Sequence, residues 1–277
     1  MKRYCIGDIH GRIDALQEVL HKSKFDFNVD MLIVLGDVVD GGEQSREVVE
    51  LLTKVKNLVY IIGNHDYWHI QYLKSGKTPD EWVTQGGAST LNSYGASIVV
   101  DRYSDPLFLG LDNVKIPQSH KDFFKKGLYY FELENMLFVH GGYDVNKPIA
   151  EQEPKNLMWD RHLITNAHTI EIPKYDKVFI GHTTTQMIER EFINYQCREC
   201  AHEWEQTVGH RNDMTKLNPC PKCQSKDVQQ SLGCTKPIKT GKLFCLDTGA
   251  GWDGKLTIMD IDSEKYWQSQ LQVPAIR

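Results

Sequence analysis

Six short apolar runs, each stopping at a cluster of Gly, Asp, His or Asn, constrain this chain more than any other feature. Residues 4–6 lead into GDIHG, 31–35 into GDVVDGG and 58–62 into GNHD. Residues 136–139 lead into HGG, 178–180 into GHT and 243–246 into DTGAG. Continuous apolar runs of this length predict strands buried on both faces. Between several of them the apolar period becomes helical. IDALQEVLHK, 13–22, places Ile13, Leu16, Val19 and Leu20 on one face; QSREVVELLTKV, 44–55, does so with Val48, Leu51, Leu52 and Val55. Strand–loop–helix alternation predicts an α/β architecture. In such sheets ligands bind beyond the carboxyl ends of the strands. The polar clusters occupy those ends, so they should converge on one site.

The clusters supply Asp8, His10, Asp37, Asn64, His65, His140 and His182. Carboxylate, imidazole and amide oxygen together suit divalent transition metals such as Mn, Fe or Zn. Two ions about 3.5–4 Å apart need one shared ligand. A carboxylate bridges and an imidazole normally does not. Asp37 stands between the other two sets in sequence and is the natural bridge. A single DxH or GNH is a weak signal, since a lone histidine is more often packed or surface-exposed. The reading rests on five clusters in consistent order, each at the end of an apolar run.

Composition narrows the partners. The chain has 277 residues, enough for one sizeable domain with a small addition, and a net charge of -5. That charge argues against a large nucleic-acid surface, which needs clustered Lys and Arg. No apolar run approaches the ~18–20 residues that span a bilayer. The opening MKRYCIGDIHGR lacks an apolar stretch of signal-peptide length. A cytoplasmic location is expected, and the cysteines agree. Of seven, four form two CxxC pairs, while Cys5 and Cys245 lie in apolar runs as small buried hydrophobes. Cys234 has no assigned role.

The paired cysteines are Cys197, Cys200, Cys220 and Cys223, with nineteen residues between the pairs. Four thiolates at this spacing predict a tetrahedral structural zinc site of the zinc-ribbon kind. His202 and His210 are the only other candidate ligands nearby, and two complete CxxC knuckles leave them no place. Tyr195 and Trp204 are expected to pack the small core that the metal staples. The ribbon, 194–236, divides a catalytic domain formed by 1–193 and 237–277. It carries six Lys/Arg against five Asp/Glu, too balanced for a basic nucleic-acid stripe. Substrate gating, protein docking or stabilisation are the roles left open.

GDIHG, GDVVD, GNHD, HGG and GHT resemble the signature series of the calcineurin-like metallophosphoesterases. WVTQGGASTLNSYG (82–95), LMWDRHL (157–163) and LFCLDTGAGWDGKLTIMDID (243–262) extend the resemblance to bacterial and phage serine/threonine phosphatases. It covers nearly all of the chain outside about 194–236. It implies a four-layer αββα sandwich with the ribbon inserted near the mouth of the site. Asp8, His10 and Asp37 would hold one metal; Asp37, Asn64, His140 and His182 would hold the other. Manganese is the expected metal, with iron or zinc as alternatives. His65 would be the general acid, oriented by Asp40, and a bridging hydroxide would attack a phosphomonoester in line.

Two departures stand out. The family usually reads GDxVDRG, and Gly41 replaces that arginine; Ile62 replaces an arginine often found before GNH. Arg161 matches a third phosphate-binding arginine. Arg12 and Arg46 are candidate substitutes, though a solvated surface position is the expectation for both. The leading expectation is a serine/threonine protein phosphatase acting on a phosphorylated protein or small phosphoester. Hydrolysis of dinucleoside polyphosphates or other nucleotides is the alternative, because an aliphatic residue before GNHD occurs in dinucleoside tetraphosphate hydrolases. An inactive scaffold carrying a zinc-ribbon binding module is a third.

Overall fold

The computed structural model describes residues 1–99, 106–207 and 219–272. His210 and the rest of 208–218 therefore lie outside the described residues. Each apolar run becomes a strand. In chain order the strands are β1 (Arg3–Ile6), β2 (Met31–Val34), β3 (Asn57–Tyr60), β4 (Ser97–Val99) and β5 (Leu107–Leu109). β6 (Tyr130–Leu133), β7 (Met136–Val139) and β8 (Lys177–Ile180) follow. β9 (Phe192–Cys197), β10 (Glu203–Thr207) and β11 (Val228–Leu232) come next. The last are β12 (Ile238–Thr240), β13 (Leu243–Cys245), β14 (Thr257–Asp260) and β15 (Tyr266–Gln268).

Two mixed sheets dominate, with strand orders β15-β14-β1-β2-β3 and β12-β13-β8-β7-β6. Their centres are parallel: β1 and β3 flank β2, and β7 and β13 flank β8. Alternation along each strand separates the layers. Cys5, Ile33, Phe138, Phe179, Phe244 and Met259 form one buried cluster between the sheets. Within it the Phe138 and Phe179 rings stack at 4.9 Å, and those of Phe179 and Phe244 at 4.8 Å. The neighbouring residues point outward. Tyr4, Ile6, Leu32 and Val34 join Leu16, Val19, Val48 and Leu52 from the helices α1 (Ile13–Ser23) and α2 (Ser45–Leu52). Leu137, Val139, Val178 and Ile180 join Leu157, Leu163 and Ile164 on the far side. The result is the four-layer αββα sandwich. Val55 belongs to the same cluster although α2 stops before it.

The two apolar outer faces make every central strand buried on both sides, as the continuous runs require. The parallel strands of both sheets therefore deliver the GDIHG, GDVVD, GNHD, HGG, GHT and DTGAG turns from their carboxyl ends. A third, antiparallel sheet of order β10-β9-β11 carries the CxxC segment. Tyr195 and Trp204 face each other across it with stacked rings 5.1 Å apart. Cys5 and Cys245 are fully buried, as expected of small hydrophobes. Among the described residues no helix is long and apolar enough to cross a membrane.

Candidate active site

The turns after the strands hold their polar residues in an uncommon backbone conformation. His10, Asp37, Asp40 and His182 have φ of 49°, 48°, 69° and 63°. Left-handed backbone costs an L-residue about 1–2 kcal/mol, and such residues gather where a site dictates the geometry. Glycines let the chains come close. A Cβ on Gly63 would lie 2.0 Å from Asp37 Oδ1, and one on Gly181 would lie 2.1 Å from Asp8 Oδ1.

These turns bring the six predicted metal-ligand residues together. His10 Nε2 lies 4.0 Å from Asp8 Oδ2 and 3.8 Å from Asp37 Oδ2. Asp37 Oδ2 is also 3.3 Å from His140 Nε2, which sits 3.1 Å from Asn64 Oδ1. His140 Nδ1 is 2.7 Å from the Leu35 carbonyl, so that nitrogen is the donor and Nε2 faces the cluster. The His182 backbone N–H donates to Asp8. One ligand atom each from Asp37, His140 and His182 falls within 4.8 Å of the others; so does one each from His10, Asp37 and His65. Asp37 belongs to both groups.

Electrostatics follow the crowding. Burial, then the charge of Asp247, lifts Asp8 well above the usual carboxylate range. For Asp37 burial pushes the same way, but the imidazoles of His140, His65 and His10 hold it well below that range. Burial opposes charge on His140, yet Asp37 and Asp8 raise it to about 10. Burial and the neighbouring His140 and Arg161 lower His182 to about 2. Its Nε2 is buried without a hydrogen-bond partner among the described residues.

His65 opens the helix α3 (Asn64–Ser75) and takes its backbone N–H to Asp37 Oδ1 at 2.9 Å. Its Nδ1 is 2.9 Å from Asp40 Oδ2. Burial disfavours the imidazolium, but the charge of Asp37 and the hydrogen bond and charge of Asp40 outweigh it, and the pKa rises. Asp40 is fully buried. The Trp82 indole N–H donates to its Oδ2 at 2.9 Å, and the Thr90 hydroxyl to its Oδ1 at 2.6 Å. Both donors come from WVTQGGAST, whose part in the site the sequence alone did not reveal. A fully buried Trp and Thr, 42 and 50 residues from the aspartate they serve, leave no spacing signal. Asp66 closes the GNHD motif itself, but the motif does not announce its role. It accepts from Gly63 N and Val38 N, tying the GNHD turn to the GDVVD turn.

Of the arginines, Arg161 reaches the site: its Nη1 is 3.4 Å from the His182 carbonyl and 3.3 Å from Thr183 Oγ1. Arg12 is not the solvated side chain expected. Its guanidinium donates to the carbonyls of Ala250 and Trp252, bracing the DTGAG loop, and burial lowers its pKa. Arg46 is exposed, as expected. Gly41 has φ 84°, and a Cβ there would meet Gly251 O at 3.5 Å, an ordinary contact. Ile62 belongs to the buried core under the helices, beside Gly127.

In the ribbon the four sulfurs form one group within 4.8 Å. Cys197 and Cys223 Sγ are 3.5 Å apart, and Cys200 and Cys220 Sγ 3.6 Å. A tetrahedral ion with ~2.3 Å metal–sulfur bonds requires about 3.8 Å between sulfurs, so the four fit a metal. His202 instead stacks on Trp204 at 5.8 Å. The ribbon leans on the wall of the main site. Gln186, four residues past His182, donates to Ser231 Oγ and Asp253 Oδ1, and Glu203 pairs with Lys255. The loop between carries Gly251, where a Cβ would lie 2.4 Å from the His10 ring.

Two mixed sheets whose parallel central strands converge on a buried cluster of carboxylates, imidazoles and one amide define a metallophosphoesterase. The chain belongs to the calcineurin-like phosphoesterase family, whose profile matches residues 1–210, and it is a hydrolase of that type. It is 24% identical to a symmetrical bis(5′-nucleosyl)-tetraphosphatase from Pseudomonas fluorescens (strain SBW25), over 99% of this chain and 96% of that protein. A protein of the same name from Baumannia cicadellinicola subsp. Homalodisca coagulata is 46% identical over 67 residues, about a quarter of each chain. The crystal structure of a provisionally assigned diadenosine tetraphosphatase shares the fold with a TM-score of 0.57, at 15% identity over 99% of this chain and 94% of that one. A metallophosphoesterase from Sphaerobacter thermophilus does so at 0.51, with 15% identity over 98% of this chain and 90% of that one. The two sequence relatives carry the name of the alternative reading rather than that of the protein phosphatases.

Proposed function

We propose that this chain is a metal-dependent hydrolase of dinucleoside tetraphosphates. The observation that carries the reading is the end-to-end likeness to a symmetrical bis(5′-nucleosyl)-tetraphosphatase, ribbon segment included in the span. Asp8, His10 and Asp37 hold one divalent ion, and Asp37, Asn64, His140 and His182 the second. The buried His182 Nε2, without a partner among the described residues, supports this, as does the charge cost of a buried Asp8, which a cation relieves. Manganese suits this donor set, and so do iron and zinc. Bound there, the ions supply Lewis acidity and make water nucleophilic near neutral pH. Asp37 shares its carboxylate between the two sets. Arg161 meets phosphate oxygens at the mouth. A structural zinc ion in the Cys197, Cys200, Cys220 and Cys223 group staples the ribbon. A docking role for the ribbon gains no support from the relatives' names.

The protein phosphatase reading keeps one specific observation. A phosphate leaving group of an anhydride needs little protonation, whereas an alkoxide needs much. His65, held by Asp40 and charged more readily than usual, suits the alkoxide. Turnover of diadenosine tetraphosphate, a phosphoserine peptide and a nucleoside monophosphate, each with added Mn²⁺, separates the readings. The proposal expects kcat/KM for the tetraphosphate to exceed that for the peptide at least tenfold. A preference for the peptide would replace it with the protein phosphatase assignment.

A further inference from the structure

A cavity of about 570 Å³ opens beside the candidate active site, lined by Tyr143, Asp144, Asn146, Asn156, Trp159 and Asp160, among others. Its size falls within the ~300–1,000 Å³ typical of small-molecule sites. It joins the metal cluster through two elements. Tyr143 ends the HGG turn begun by His140, and Asp160 precedes Arg161. The Trp159 ring also lies 6.2 Å from that of Trp68, which meets the His65 ring edge-on at 5.1 Å.

The lining has a specific chemistry. Trp159 offers a flat, half-buried aromatic face. Asn156 adds an exposed amide, whose paired donor and acceptor match the edge of a purine. Asp144 and Asp160 add carboxylates, which accept hydrogen bonds from a ribose diol and repel phosphate. The Tyr143 hydroxyl is buried without a partner among the described residues, and its residue is only 5% exposed. Lys155 and His162 also line the cavity, so against the two aspartates it lacks the excess of cations that a phosphate subsite needs. We propose that this cavity is a nucleoside subsite. It takes the base against Trp159 and the ribose near Asp144 and Asp160, while the phosphates run past Arg161 to the metal cluster. The proposal rests on the dinucleoside tetraphosphate reading and assigns one of the two nucleosides a place.

The test uses the full-length, Mn²⁺-loaded protein and three variants, Trp159→Leu, Asn156→Leu and Tyr143→Phe, each checked for a native circular-dichroism spectrum. Two probes are needed: hydrolysis of diadenosine tetraphosphate, and quenching of tryptophan fluorescence by adenosine, which has no phosphate. Trp159→Leu and Asn156→Leu should raise KM for the tetraphosphate tenfold or more, and Tyr143→Phe about threefold. Turnover of 4-nitrophenyl phosphate should change less than twofold. Adenosine should bind the wild type and lose at least tenfold in affinity for Asn156→Leu. A wild type that hydrolyses the tetraphosphate, with all three variants keeping its KM within twofold, would overturn the subsite and leave the function standing. If the wild type fails to hydrolyse the tetraphosphate but adenosine binding still depends on Asn156, the subsite survives and the function falls. A phosphoserine peptide that loses affinity in these variants while adenosine does not would also overturn the subsite.

Discussion

At the scale of single residues, the site depends on a buried carboxylate that touches no predicted ligand. Asp40 accepts hydrogen bonds from His65, Trp82 and Thr90, which use both of its oxygens. Thr90 also accepts the Asp40 backbone N–H. Thr90→Val removes the hydroxyl at nearly constant shape. The lost bond to a charged group should cost about 1.5–3 kcal/mol of stability. It should also lower kcat for an alkyl phosphate roughly tenfold while sparing an aryl phosphate, since only the former needs the proton. Leaving-group dependence measures this directly, and equal losses on both substrates would make Thr90 a folding residue only. His69 makes a second case. It is fully buried among Tyr72, Trp82, Tyr94 and Phe124, and neither ring nitrogen has a partner among the described residues. Burial, then the nearby His120, lowers its pKa to about 3. An unfolded histidine titrates near 6.5, so between those values the unfolded chain binds the extra proton. Stability from this group is present above pH 6.5 and drains away as pH falls toward 3. Denaturant titrations from pH 7 to 4 should lose stability on the order of 2–3 kcal/mol more in the wild type than in His69→Leu.

At the scale of elements, the ribbon presses on the loop that walls the cluster. Glu203 stands three residues beyond Cys200 and pairs with Lys255, whose N–H bonds the Thr248 carbonyl. The loop also has bonds of its own, Thr248 Oγ1 to the Lys255 carbonyl and Gly254 N to Gly249 O. It should therefore outlast loss of the ribbon metal. Cys200→Ser should remove one equivalent of bound zinc and expose the knuckles to protease. Turnover of a small aryl phosphate should fall less than about threefold, because the loop's internal bonds persist. A much larger loss, with native far-ultraviolet dichroism, would mean that the ribbon metal sets the wall's position.

For the whole molecule, the distribution of the cluster between two sheets matters most. Asp8, His10, Asp37 and Asn64 follow β1, β2 and β3 of one sheet; His140 and His182 follow β7 and β8 of the other. Metal held by all six would tie the sheets together and stabilise the folded chain by mass action, about 2.7 kcal/mol at a hundredfold excess over Kd. Added Mn²⁺ should raise Tm by several degrees in the wild type and by much less in Asp37→Asn, where the shared carboxylate is gone. Metal analysis that finds two active-site equivalents retained in Asp37→Asn would refute the shared role of Asp37.

The apolar runs determined the strands and their burial on both faces, because only a strand covered on each side tolerates unbroken apolar residues. The glycine-flanked polar clusters named the candidate metal ligands that the fold brings together, and the CxxC pairs named the four sulfurs that cluster in the third sheet. Each signal is local. The tertiary structure alone decided what depends on contacts between distant segments. It put Trp82 and Thr90 on Asp40, turned Arg12 to the DTGAG loop and buried Ile62 in the core. It also set Tyr143 and Trp159 around one cavity. None of these pairs shares a period or a motif, so no pattern along the chain could announce them. They follow from how two twisted sheets and their helices pack, which fixes the long-range neighbours that local sequence leaves free.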